Sequence, residues 1–217
     1  MAATIEPWFS FETSLDATAE AAQLELMLAG AVLAESSGCR RIWVEAQPGT
    51  ALPADSLRLA LAVAAGTDSL RVVAAGVRLV ASPGAANEPR SWIRLAEDVA
   101  TADGICGGRL EIAFAALPES GPTTVARLRD AWSGSPIDLG DGGAPIEIYP
   151  RPCTRDGPKL WTRVDSVAAL EAAAAVDIAV IISDAEVAQV QIERSVDALW
   201  LSETSERSTT RVQPFEA

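Results

Sequence analysis

The sequence predicts an α/β protein built on a parallel sheet, and two observations lead to that class. Strand-like and helix-like stretches alternate along most of the chain, the order that sets consecutive strands side by side with helices between them. The chain has 217 residues, 49% of them apolar, enough to bury one full core and suited to one domain. That domain is expected over residues 1–202, with a polar tail over 203–217 that is disordered or draped on the surface.

The elements follow in order. Residues 4–10 make the first expected strand. Residues 16–37 make a long helix whose apolar face carries Leu24, Met27, Leu28, Ala31 and Val32, and Gly38 ends it where a left-handed glycine is favoured. Residues 41–45 are the second strand. Residues 55–65 are the second helix, with Asp55 or Ser56 as its N-cap. Residues 70–80 form a long, valine-rich third strand, and 82–89 a Gly/Ala/Pro loop. Residues 90–105 are the third helix, 109–115 the fourth strand and 123–132 a further helix. Residues 133–158 hold many Gly, Pro and Asp residues. So long a run without an element is unusual inside a compact domain, so a short strand is expected at 146–149. A strand at 159–163, a helix at 166–175, a strand at 178–182, a helix at 186–195 and a strand at 198–202 complete the chain. The main strands number seven.

Composition excludes several classes of function. With 17 Lys and Arg against 30 Asp and Glu, the net charge is −13. Nucleic acid and anionic membrane surfaces are repelled by such a chain, because phosphate contacts need clustered cations. Cys39, Cys106 and Cys153 are odd in number and lack paired spacing, which argues against a disulfide framework and a zinc site. The chain contains no histidine, which removes Ser-His-Asp and Cys-His catalysis and histidine metal sites. The start, MAATIEPWFS, lacks a basic segment followed by an apolar one, so no signal peptide is expected. The most apolar run, 167–182, is broken by Glu171 and Asp177 and is too interrupted to span a membrane. The expected location is cytoplasmic.

Three motifs give a more specific reading. Residues 94–114, RLAEDVATADGICGGRLEIAF, run from a helix through Gly107-Gly108 to Arg109, which opens a strand. Leu128-Arg129-Asp130-Ala131-Trp132 precedes Gly134-Ser135-Pro136. Tyr149-Pro150-Arg151-Pro152 precedes Gly157-Pro158-Lys159-Leu160-Trp161. Together these resemble the bacterial-luciferase-like flavin monooxygenases over most of residues 41–182. The resemblance implies a (β/α) barrel, a flavin cofactor (FMN, FAD or F420) with oxygen activation or hydride transfer, and pairing through helices 2 and 3. Helix 2 fits such pairing, being apolar nearly all round at Leu57, Leu59, Ala60, Leu61, Val63 and Ala64, so a homodimer or heterodimer is expected. A full barrel of this kind takes about 250 residues, so the chain reads as a shortened, seven-stranded member.

Sites in such barrels lie at the C-terminal ends of the strands. After strand 2 the family commonly carries one or two histidines, where this chain has Val44-Glu45-Ala46-Gln47-Pro48. Gln47 cannot take a proton, and Glu45 can serve as a base only if burial favours it. The plainer alternative makes both ordinary loop polar groups. After strand 4 the family often places an arginine on the flavin phosphate, where this chain has Ala115-Ala116-Leu117-Pro118. After strand 5 the family's Gly-Ser-Ser phosphate site is replaced by Val164-Asp165-Ser166. Asp165 would repel a phosphate and reads as a helix N-cap, with Ser166 the alternative cap. Arg163 supplies the missing positive charge if it points into the mouth, or else pairs with a surface carboxylate.

Gln47, Arg163 and Ser166 are therefore the candidate cofactor-binding residues and Glu45 the candidate base. Flavin binding is expected to be weak or absent, with no metal. Trp8, Trp43 and Trp161 are expected to pack the barrel interior, with at least one indole N–H reaching the polar mouth. The expected function is that of a degenerate family member: a non-catalytic flavin or small-ligand binding protein, or the inactive partner subunit of a flavin monooxygenase. The alternatives are an active flavin-dependent monooxygenase or oxidoreductase that uses no histidine, and an interaction protein with no ligand.

Overall fold

The computed structural model describes residues 6–12, 17–47, 55–78, 89–117, 121–138, 142–182 and 198–200. Strands β1 (Trp8–Glu12), β2 (Arg41–Gln47), β3 (Arg71–Val77), β4 (Leu110–Phe114), β5 (Lys159–Val164) and β6 (Ala179–Ile182) pair in sequence order, all parallel. The three-residue β7 (Ala198–Trp200) lies beside β6. Parallel neighbours need long crossovers, and helices α1 (Ala17–Ser36), α2 (Ser56–Ala65), α3 (Pro89–Ile105), α4 (Gly121–Ser133) and α5 (Val167–Ala175) provide them.

Successive strand side chains leave opposite faces of the sheet, and here both faces are apolar. Ile42, Val44, Val72, Ala74, Leu110, Ile112 and Phe114 pack against the helices, among them Met27, Ala60, Val63, Val99 and Leu128. Trp43, Val73, Ala75, Ala113, Trp161, Ala179 and Ile181 form a second buried cluster on the other face. That second face is concave. Strands β2 and β5 are three steps apart, about 14 Å in a flat sheet at about 4.8 Å per step. Yet the Trp43 and Trp161 rings meet edge to face with centroids 5.3 Å apart. The sheet is thus a curled half-barrel with helices on its convex side.

The junction that dominates the sequence reading has a structural explanation. Gly107 and Gly108 both take positive φ, 62° and 77°, a conformation open to residues without Cβ. The turn delivers the Arg109 guanidinium to the carbonyls of Ala64 (2.9 Å), Leu70 (3.2 Å) and Cys106 (3.0 Å), and to Thr67 Oγ1 (3.3 Å). One side chain thereby ties the end of α2, the start of β3 and the end of α3 together.

Several expected boundaries are corrected. The first strand is Trp8–Glu12 rather than 4–10, because Trp8 registers against Trp43; residues 1–5 lie outside the described residues. The second strand runs on to Gln47, and the third ends at Val77, with a register shift between Ala74 and Val77. On α1 the buried line is Met27, Ala31 and Ala34, whereas Val32 is exposed, because the core meets the helix along the 27–31–34 side. No strand forms at 146–149: Ile146 makes a single antiparallel bridge to Ile137. This segment packs on the helix side instead, with Ile148 buried in the main core. The Asp103 carboxylate holds it there by accepting from the amides of Cys153 (2.8 Å) and Thr154 (3.4 Å). Asp55 caps α2, accepting from the Leu57 amide at 2.9 Å. Ser56 is buried and accepts from the Ala46 amide at 2.9 Å, which pins the C-terminal end of β2 to the helix. The helix expected at 186–195 and the tail from 203 lie outside the described residues.

Candidate functional site at the mouth of the half-barrel

The concave face is built in layers along the strands. At the N-terminal ends lie Glu6, Arg41, Arg71, Glu111 and Lys159. Glu111 is only 1% exposed and is matched by the Arg41 guanidinium (3.1 Å), Arg71 (3.2 Å) and the Trp161 indole N–H (2.7 Å). Glu6 accepts from Arg41 and from the Trp43 indole, both at 2.7 Å. A buried carboxylate is tolerated only when its charge and lone pairs are met in this way. This layer closes the floor.

Above it sits the tryptophan layer. Trp8 and Trp43 stack in parallel at 5.0 Å, and Trp161 abuts Trp43 edge-on. Ala113 and Ala179 occupy neighbouring strands in the same layer, and their small side chains leave room for three indoles. The expectation that these tryptophans pack the interior agrees with this geometry. Two indole N–H groups point to the floor, and that of Trp8 points to the mouth.

The mouth layer holds Glu45 on β2 and Arg163 on β5. Arg163 Nη2 meets Glu45 Oε2 at 2.8 Å across the concave face. The same carboxylate oxygen accepts from Trp8 Nε1 at 3.2 Å. The Arg163 guanidinium also lies 5.2 Å from the centre of the Trp8 ring, within cation–π range. Glu45 is mostly buried (12% exposed), whereas Arg163 is 44% exposed. Gly76 accommodates the glutamate: a Cβ there would lie 3.0 Å from Glu45 Oε1, and the residue sits at φ 74° inside the irregular end of β3.

The candidate residues thus divide. Glu45 and Arg163 come together at the mouth, and the two readings of Arg163 merge: it points into the mouth and pairs there with a carboxylate. Ser166 caps α5, its hydroxyl accepting from the Ala169 amide at 3.3 Å. Asp165, expected as the favoured cap, is exposed one residue earlier. Ser166 has the extended backbone of a cap residue, φ −151° and ψ 157°, and so takes the role. The backbone of Gln47 pairs with Glu12, and its side chain lies outside the described ones.

Sequence reasoning missed Glu6, Gly76, Arg78 and Glu111. Arg78 follows β3 at the mouth end and is exposed; a longer expected strand had hidden it. The signal for Glu111 was available, as a lone carboxylate within the apolar strand LEIAF. Among the described residues at the strand C-termini, the cations are Arg163, already engaged by Glu45, and Arg78. The stretch after β4 supplies none, and the Ser166 hydroxyl is used by its own helix.

The cysteines are free. Cys106 is buried, and burial pushes its thiol up, against the opposing pull of Arg109; a thiol so held is a poor nucleophile. No group of side chains suited to a metal ion occurs among the described residues, and no described helix is long and apolar enough to cross a membrane.

No family model matches the chain, and no curated protein matches it. Solved structures do. A monooxygenase from Streptomyces bottropensis aligns with a TM-score of 0.61 and 22% identity, over 79% of this chain and 57% of that one. The coenzyme F420-dependent tetrahydromethanopterin reductase of Methanopyrus kandleri gives 0.59 and 11%, over 91% and 64%. The oxygenating constituent of 3,6-diketocamphane monooxygenase from Pseudomonas putida, solved with FMN, gives 0.60 and 13%, over 88% and 64%. The chain therefore spans about three fifths of the length of these structures. At such identities the likeness is one of fold alone, a parallel α/β half-barrel sheet with helices on one side.

Proposed function

We propose that this chain is a shortened, seven-stranded luciferase-like barrel that binds a small ligand at its mouth without performing acid–base chemistry there, alone or as the inactive partner of a flavin monooxygenase. The observation that carries the reading is the engagement of Glu45. It is the titratable group that stands where the family's histidine would be, and its carboxylate is held by Arg163 and by the Trp8 indole. A general base must be free to reach the proton it takes, and here the Oε2 oxygen of Glu45 is already committed to two donors. Loss of the arginine after β4 and the glycine after β5 removes two charge-assisted phosphate contacts, each worth about 1.5–3 kcal/mol, or roughly two to four decades of affinity together.

Calorimetry with FMN, FAD and F420 in turn is expected to show no sub-micromolar binding. With reduced flavin supplied, no oxygen-dependent oxidation of aldehydes or small aromatics is expected. The second reading, an active flavin-dependent monooxygenase without histidine, is favoured by the fold neighbours, two of which are monooxygenases and one of those solved with FMN. Sub-micromolar FMN binding, or turnover lost in Glu45→Gln with the fold intact, would establish that second reading instead. Pairing through α2 and α3 belongs to the same proposal. Much of the apolar surface of α2 (Leu57, Ala60, Val63, Ala64) is already buried within the chain, so a modest interface is expected. A strictly monomeric mass by light scattering at micromolar concentration would reject it.

A further inference from the structure

We infer that the Arg163–Trp8 pair is a carboxylate receptor whose resting occupant is Glu45, so that the ligand class of the mouth is a small organic carboxylate that takes the place of Glu45. The inference deepens the small-ligand reading above and rests on it.

Three features of the geometry carry it. Two donors from different strands, Arg163 Nη2 on β5 and Trp8 Nε1 on β1, converge on one carboxylate oxygen, at 2.8 Å and 3.2 Å. Convergent charged and neutral donors on a single oxygen are what a carboxylate site consists of. One of the two donors is also anchored. Trp8 is stacked on the fully buried Trp43, and the Arg163 guanidinium lies 5.2 Å from the centre of its ring. Finally, the two partners differ in access. Arg163 is 44% exposed, so a ligand can reach it from the mouth, whereas Glu45 approaches from the sheet side through the space that Gly76 leaves open. The internal carboxylate competes with any external one for the same donors, and that competition sets the affinity.

The test uses the full chain, titrated with benzoate and with its neutral isostere benzamide, and followed by tryptophan fluorescence, since Trp8 belongs to the receptor. Wild type is expected to bind benzoate weakly. Glu45→Gln, which keeps the shape and weakens the competitor, is expected to bind benzoate at least about tenfold more tightly, the worth of one charge-assisted hydrogen bond. Benzamide affinity is expected to stay unchanged. Arg163→Met is expected to abolish benzoate binding in both backgrounds. If Glu45→Gln proves poorly folded by circular dichroism, Glu45→Ala supports the same comparison. The proposal is overturned if the Glu45 variants bind benzoate no more tightly than wild type, if benzamide gains equally, or if Arg163→Met retains binding. These outcomes are independent of the flavin titrations, so tight FMN binding would unseat the functional reading and leave the benzoate comparison to be judged on its own.

Discussion

At the scale of single residues, the best-defined electrostatic site outside the mouth is Glu35, at the end of α1. Its carboxylate accepts from the Ser69 amide (2.6 Å), the Ser69 hydroxyl (2.8 Å) and the amides of Leu70 (2.9 Å) and Asp68 (3.1 Å). The Ser69 amide first, then its hydroxyl, holds the Glu35 carboxyl down from 4.5 to about 2, with burial opposing and the Asp68 and Leu70 amides adding less. A carboxylate whose folded value is lowered contributes stability that is complete above its unfolded value and is lost as the pH falls through the folded one. Wild type should therefore lose this contribution between pH 4.5 and about 2. Glu35→Gln should lower Tm at neutral pH by about 2–4 °C and flatten the acid limb of the stability curve. Parallel curves for the two proteins across that window would assign the acid sensitivity elsewhere. This residue was not legible in the sequence, because its partners lie 33 to 35 positions away in a turn that only the packing of α1 against α2 brings near.

At the scale of elements, Arg109 makes the most connections. Its guanidinium serves acceptors on α2, on the turn before β3 and at the end of α3. Replacing it by Met would take the side-chain donors away from these three carbonyls and the Thr67 hydroxyl. The expected cost is about 2–4 kcal/mol, from one or two hydrogen bonds made to a charged group. Denaturant unfolding should show the loss as a lower midpoint at unchanged slope, and a variant within about 0.5 kcal/mol of wild type would reject the role. The sequence pointed to this residue, because two adjacent glycines before an arginine form a recognisable local pattern. The alternating helices and strands were legible for the same reason, being set by local periodicity. What was not legible depended on long-range packing. Residues 146–149 look like a strand, yet Asp103 and the main core draw that segment to the helix side of the sheet. Asp103 itself is buried, and burial pushes its carboxyl up while the amides of Cys153, Thr154 and Leu110 pull it down. Such a balance cannot be read from residue types.

At the scale of the whole molecule, the concave face is held by charge at its floor and its mouth, with tryptophan between. Glu111 collects Arg41, Arg71 and Trp161 from three other strands, so it joins β2, β3, β4 and β5 at one point. Glu111→Ala would remove the acceptor shared by Arg41, Arg71 and the Trp161 indole and leave Arg41 paired with Glu6. The expected loss is about 1.5–3 kcal/mol, the worth of hydrogen bonds made to a charged group. Thermal unfolding should show the drop, and a Tm within about 2 °C of wild type would mean that the floor is redundant. Of this architecture, the tryptophans and Glu45 could be placed from the sequence, since strand position and fold class determine which way they point. The pairing of Glu45 with Arg163 could not, because it depends on how far the sheet curls.

The mouth ion pair joins residues 118 positions apart. Contacts of that separation close a large loop of chain, and the entropy of closure favours their forming late, after the neighbouring strands have paired. Substitutions at late-forming contacts change the unfolding rate and leave the folding rate nearly untouched. Glu45→Ala and Arg163→Met should therefore steepen or raise only the unfolding arm of a chevron plot, and slower refolding in either would place the mouth in the folding nucleus. Entry of a ligand requires only a brief parting of two side chains, while the tryptophan layer and the floor beneath stay closed.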